Sequence, residues 1–194
     1  LEITRSNINF VGTGKDTTTI VGGFGIYEQE NIMFKQMTVT YDMFNEYTRR
    51  DGVNYEPNLT LGSRVGGSGI RMSHSKVELF DVALKGCSNY ALHIPVSTSE
   101  TTVVVATRCE FANSRYGAIV HSSLTSATFK NCVFHDNSAD GIFVAGKGTI
   151  HLHGEDTAIH SNKGDGISAW DSGKVFIHLP SHHNTSYNNG DEDR

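Results

Sequence analysis

The chain has 194 residues, a net charge of −5 with histidine neutral, 20 glycines and 3 prolines. That length suits one domain, and abundant glycine with scarce proline suits many tight corners. The acidic balance lacks the basic stripe of a nucleic-acid binder, and no apolar run is long enough to cross a bilayer.

Taken in chain order, the pattern is one of short strands. A first strand begins at Leu1, and Ile8-Asn-Phe-Val-Gly12-Thr-Gly14-Lys15-Asp16-Thr-Thr-Thr-Ile20 follows it. Gly12-Thr-Gly14-Lys15 lacks the spacing of a phosphate loop, and no helix follows. A phrase then recurs at Gly25-Ile26, Gly69-Ile70, Ala91-Leu92, Gly117-Ala118, Gly141-Ile142 and Gly166-Ile167, with Gly190 opening a further copy. From Gly69 the step is about two dozen residues, a repeat length that signals stacked units. Between the first two copies, residues 31–40 read as a strand pair and residues 41–67 as a long loop leaving the repeat, rich in Tyr and Arg. Loops of that length in a compact fold tend to be functional.

Ahead of the later copies stand polar corners, Asn113-Ser-Arg-Tyr-Gly117, Asn137-Ser-Ala-Asp-Gly141 and Asn162-Lys-Gly-Asp-Gly166. Asn and Gly at a set offset predict sharp turns with positive φ. After each Gly the period is two, a strand period. Ile26, Ile70, Leu92, Ala118, Ile142 and Ile167 should point inward; Tyr27, Arg71, His93, Ile119, Phe143 and Ser168 should point outward, as should His121 and Trp170. A corner and a few strands per repeat describe one rung of a parallel β-solenoid, all-β, spanning 1–194 as one domain. Its uncapped ends predict a piece of something longer, or an end-to-end partner in an assembly.

These rungs resemble the right-handed parallel β-helix of the pectate-lyase-like superfamily, nearest the repeats of carbohydrate-binding proteins and sugar hydrolases. Ser126-Ala-Thr-Phe-Lys-Asn131-Cys132 and Ile177-His-Leu-Pro-Ser-His-His-Asn184 are similar to expanded repeat families of algae and large algal viruses. The resemblance covers nearly the whole chain. It implies a fold, and it leaves lyases, hydrolases, epimerases, tailspikes and inert modules all open.

Two functional classes compete. The outward residues Tyr27, Arg71, His93, His121, Phe143 and Trp170 offer ring faces for sugar CH surfaces and cationic or imidazole groups for hydroxyls and carboxylates. This favours a non-catalytic module presenting a rigid face to glycan or protein, in a surface, extracellular or virion assembly. The rival is a polysaccharide lyase, glycoside hydrolase or epimerase acting on an acidic polysaccharide. Its carboxylates would be Asp140 and Asp165, stacked before their corner glycines, with Arg115, Lys163 and Asp191 beside them. An Asp-Gly corner is also what turn chemistry selects without catalysis. No cofactor is expected, with Ca2+ the alternative if the site is of the lyase kind.

Among 10 histidines, His151 and His153 share one strand face, and His135 and His160 share a register, but a metal site needs a third ligand. No metal ligand set is assigned from sequence. Cys109 and Cys132 occupy matching places in neighbouring rungs and read as stacked buried thiols, with an inter-rung disulfide as the alternative. Cys87 reads as a free thiol in a corner. Asn58-Leu-Thr60 and Asn184-Thr-Ser186 are glycosylation sequons that matter only in a secreted chain.

Overall fold

The two-residue alternation folds as parallel strands. A computed structural model describes residues 1–41, 67–96, 101–121, 124–178 and 185–193, and among these every regular element is a β-strand. The interior of the 41–67 segment and both sequons fall at least partly outside the described residues. One sheet of 7 strands stacks Glu2–Ile3, Phe24–Tyr27, Ile70–Ser73, Tyr90–Ile94, Tyr116–Val120, Ile142–Val144 and Ile167–Ala169. This is the first face of the solenoid.

A second sheet of 12 strands bends to make the other two faces. The second face runs from Ile8–Val11 through the first halves of Ile32–Thr40 and Lys76–Lys85 to Thr102–Thr107, Thr125–Lys130, Thr149–His153 and Lys174–His178. The third runs from Thr19–Val21 through the second halves of those long strands to Glu110–Ala112, Val133–His135, Ala158–His160 and Ser186–Tyr187. The bend between them falls where Gln36, Asp81, Arg108 and Asn131 take φ of 55°, 52°, 53° and 52°. A non-glycine residue there costs roughly 1–2 kcal/mol. Rung-to-rung hydrogen bonds offset part of that cost: Arg108 N donates to Lys130 O and Asn131 N to His153 O, both at 2.9 Å.

Inward side chains of successive rungs lie over one another and form one continuous core. Phe10 stacks on Phe34 at 4.8 Å, Phe111 on Phe134 at 4.6 Å, and Phe129 meets both of the latter edge-on. The thiols of Cys87, Cys109 and Cys132 are free and buried. Cys109 N donates to Cys132 Sγ at 3.5 Å, so the pair stacks without bonding covalently, as the first sequence reading expects. Burial pushes the Cys87 thiol up to about 11, which leaves it protonated and unreactive.

The corner between the third and first faces is held from inside by amides. Ser114 N donates to Asn137 Oδ1 at 3.1 Å, Asn137 Nδ2 to Asn162 Oδ1 at 2.8 Å, and Asn162 Nδ2 to Asn189 Oδ1 at 2.9 Å. The same amides also donate to carbonyls of the strand before them: Asn137 to Phe111 O and Asn162 to Phe134 O, both at 3.2 Å. Each amide is therefore satisfied on both sides in a site from which water is excluded, the condition under which buried polar groups stabilise.

Two expectations are corrected here. The glycines of the repeated phrase do not sit at positive φ; that conformation belongs to Asn113, Asp136, Ser161 and Asn188, with φ between 51° and 58°. Gly117 and Gly141 are required by space. A Cβ on Gly117 would lie 2.4 Å from Gly141 O, and one on Gly141 would lie 2.7 Å from Asn162 Nδ2 and 2.6 Å from Ile159 Cγ2. The glycine column makes room for the asparagine column and for the next rung. Ser114, not Asn113, is also the residue that continues the amide column.

The second correction is one of register. Phe24, not Ile26, pairs with Ile70, and Ile26 pairs with Met72. The slip is an even number of residues, so Ile26 remains inward and fully buried, but Gly25 and not Tyr27 lies opposite Arg71.

Asn137→Ala should destabilise the fold by roughly 2–4 kcal/mol, since it strips partners from a buried N–H and a buried carbonyl as well as from Asn162. Urea denaturation, compared with Ser138→Ala on the exposed neighbour, measures the difference.

Candidate functional site

The first face carries the outward residues singled out from sequence, and the structure joins most of them. Arg71 Nε donates to Tyr27 Oη at 3.1 Å, and Arg71 Nη1 lies 3.1 Å from His93 Nδ1. The Tyr90 ring packs at 4.4 Å from His93 and 5.8 Å from Tyr116; Tyr116 meets Phe143 at 6.4 Å, and Phe143 meets His121 at 5.2 Å. The outward alternation does not include Tyr90 and Tyr116, because they precede the Gly or Ala from which it starts. Their place at the start of strands Tyr90–Ile94 and Tyr116–Val120, paired in register, is the signal that finds them.

Along this strip Tyr27, Arg71, Tyr90, Tyr116, His121 and Phe143 are half-buried. His93, Ile119 and Ser168 are buried, and Trp170 is 65% exposed and stands apart from the chain of contacts. Burial, with Arg71 and then His121 adding like-charge repulsion, pushes His93 down to about 3. His93 is therefore neutral at ordinary pH and accepts from the Arg71 guanidinium. Burial lowers His121 in the same direction.

Asp140 and Asp165 do stack at neighbouring rungs, and their geometry is that of corner residues. Asp140 Oδ1 accepts from Asp165 N and Asp165 Oδ1 from Glu192 N, both at 3.0 Å, while Ser168 Oγ donates to Asp165 Oδ2 at 2.6 Å. Burial raises Asp140 above its ordinary value. Arg115 lies over the Tyr116 ring at 5.5 Å. A calcium ion takes 6–8 oxygen ligands. Among the described residues, no three carboxylates gather their oxygens at one point, so this corner does not fit a calcium cage.

A third cluster escaped the sequence reading. On the third face, His135 Nε2 lies 3.3 Å from Glu110 Oε1 and His135 Nδ1 lies 2.7 Å from Asp136 Oδ2. Lys15, Arg108, Asn131 and Asp156 share the groove beside them. The Glu110 carboxylate, then Asp136, raises His135 against its burial, and His135 in turn lowers Glu110. Arg108 forks onto Asp81 with two 2.7 Å bonds and lies over Phe80 at 4.3 Å, so this cation is held in place. The pairing has no local sequence signature because Glu110 and His135 are a rung apart.

On the second face, the His151 and His153 pair gains a neighbour. The ring of His178, from the next rung, stacks on His153 at 4.2 Å, and His178 Nε2 lies 2.9 Å from His151 Nδ1.

The family model described as "Right handed beta helix region" matches residues 68–192. The chain belongs to the right-handed β-helix family. That membership agrees with the parallel three-faced stacking and gives the solenoid its hand. No curated protein and no solved structure matches this β-helix. Among the described residues no helix is long and apolar enough to cross a membrane.

His93 takes up a proton at 6.5 in the unfolded chain and only near 3 in the β-helix, so the unfolded state gains protons first. Its contribution to stability is therefore lost as pH falls from 6.5 toward 3. The urea midpoint of the wild type should drop more between pH 7 and pH 5 than that of His93→Gln, measured side by side.

Proposed function

We propose that this β-helix is a non-catalytic module that binds glycan along its first face, as part of a surface, extracellular or virion assembly. The observation that carries the reading is the unbroken chain of contacts from Tyr27 through Arg71, His93, Tyr90 and Tyr116 to Phe143 and His121. It crosses five stacked strands, about 19 Å at the usual strand spacing. That is long enough to underlie several sugar rings of an extended chain.

The chemistry suits a saccharide that carries carboxylates. Tyrosine and phenylalanine rings offer flat apolar faces, and the Arg71 guanidinium offers planar donors for a carboxylate. Neutral His93 anchors Arg71 without competing for the anion. The strands beneath are paired on both sides, so the groups are pre-positioned and little ordering is lost on binding.

A second reading is supported by one observation, the raised Asp140 carboxyl beside Asp165. It is an enzyme of acidic polysaccharides with those two groups as acid and base. Both carboxylates already accept backbone N–H groups of the next rung, which favours the binding module.

A glycan array followed by calorimetry on each hit separates the two. The binding module predicts an acidic glycan that is held and recovered intact, with affinity falling at least tenfold in Arg71→Ala and in Tyr116→Ala and unchanged in Asp140→Asn. Shortened or unsaturated products, abolished by Asp140→Asn, would replace this reading with the enzyme.

A further inference from the structure

We propose that His151, His153 and His178 form a binding site for a divalent transition-metal ion of the zinc and copper class, held by three imidazoles and otherwise open to solvent. The site lies on the second face, apart from the strip assigned to glycan, and does not depend on that assignment.

The ladder makes the cluster. Thr149–His153 pairs with Lys174–His178 over five residues, which sets His153 opposite His178 and His151 opposite Phe176. His151 and His153 are on the same side of one strand, so all three imidazoles leave the sheet in one direction. One ligand nitrogen from each lies within 4.8 Å of the other two, and among the described residues this is the one such group of His, Cys, Asp and Glu. Around an ion bound at the usual 2.0–2.1 Å, tetrahedral imidazole nitrogens stand about 3.4 Å apart. The observed spacing brackets that value.

The two strands fix the backbone, and packing narrows the rings. Phe176 stacks on His151 at 5.1 Å with 15° between planes, which limits the His151 rotamer. His153 and His178 lie face to face at 4°. Parallel rings aim their nitrogens in parallel, so His178, the exposed member, tilts to bring its nitrogen onto a shared ion. Partial burial of His151 and His153 against the exposed His178 fits two fixed ligands and one that closes.

The donor set selects the ion. Three neutral nitrogens without a carboxylate suit zinc, copper, nickel or cobalt and give calcium or magnesium nothing to hold. Lys130 is opposite His153 on the preceding rung and is exposed, with a stem that carries its ammonium into solvent. Three protein ligands leave a coordination position for water or for a donor from another molecule.

Zn2+ titrated by calorimetry into the whole chain should bind at one saturable site, with Mg2+ and Ca2+ giving no competing heat. His153→Ala and His178→Ala should each weaken Zn2+ at least tenfold, while His135→Ala and His160→Ala, whose stacked rings are on the third face, leave it unchanged. The Cu2+ electron paramagnetic resonance spectrum of the unsubstituted chain should show three coupled nitrogens. That count does not depend on any variant folding. Absence of saturable Zn2+ binding, wild-type affinity in His178→Ala, equal loss in His135→Ala, or fewer than three coupled nitrogens would each overturn the proposal.

Discussion

The hydrogen bond that runs from one rung to the next, inside as well as along the strands, is what the rest of this molecule rests on. Strand pairing alone would set the spacing between rungs but would leave the corners free to wander. At the corner between the third and first faces, the column Ser114, Asn137, Asn162 and Asn189 extends the same pairing into side chains. An amide is suited to this because it donates and accepts at once, so each copy satisfies the one before and the one after. The glycine column exists because that amide needs the volume a Cβ would occupy. Fixed corners in turn keep every outward column straight, and the clusters on all three faces are consequences of that straightness.

The fold was open to reading from sequence because its signals are local and repeat. The Gly-Ile phrase marks each rung, and alternation from Ile70, Leu92, Ala118 and Ile142 gives the buried side without any knowledge of pairing. The register at Phe24 is hidden from the repeat pattern because the long 41–67 segment interrupts the count, and a slip by an even number keeps the buried pattern intact. Nothing in a hydrophobicity pattern can reveal such an error. Of the corner Asn and Gly residues expected at positive φ, only Asn113 takes it, for a related reason: glycine is taken first for its conformational freedom, whereas Gly141 is there because its neighbour is close.

The candidate sites were legible only where their members lie on one strand or at one repeated offset. Arg71 and His93 could be placed together because they share an outward column. The Glu110 and His135 pair and the third member of the histidine cluster could not, since rung lengths vary and contacts between rungs depend on their sum. His178 stands opposite His153 because the strands Thr149–His153 and Lys174–His178 start in step. A loop one residue longer at the intervening corner would have taken up the difference without moving that register. Corner length is therefore free while strand register is not, which is why sequence spacing is a poor guide to which side chains meet.

The amide column also bears on how such a chain can change length. Each Asn meets its successor through identical atoms, so Asn137 and Asn162 present interchangeable ends. Removing or duplicating a whole rung at this corner would rejoin like to like, whereas any partial change would leave one amide without its counterpart. Insertions and losses that survive are thus expected in whole turns, each moving the two ends apart or together by one strand spacing, about 4.8 Å. Length in this protein is a discrete variable, and its surface clusters can be copied, spaced or deleted in units of a rung without redesigning the core.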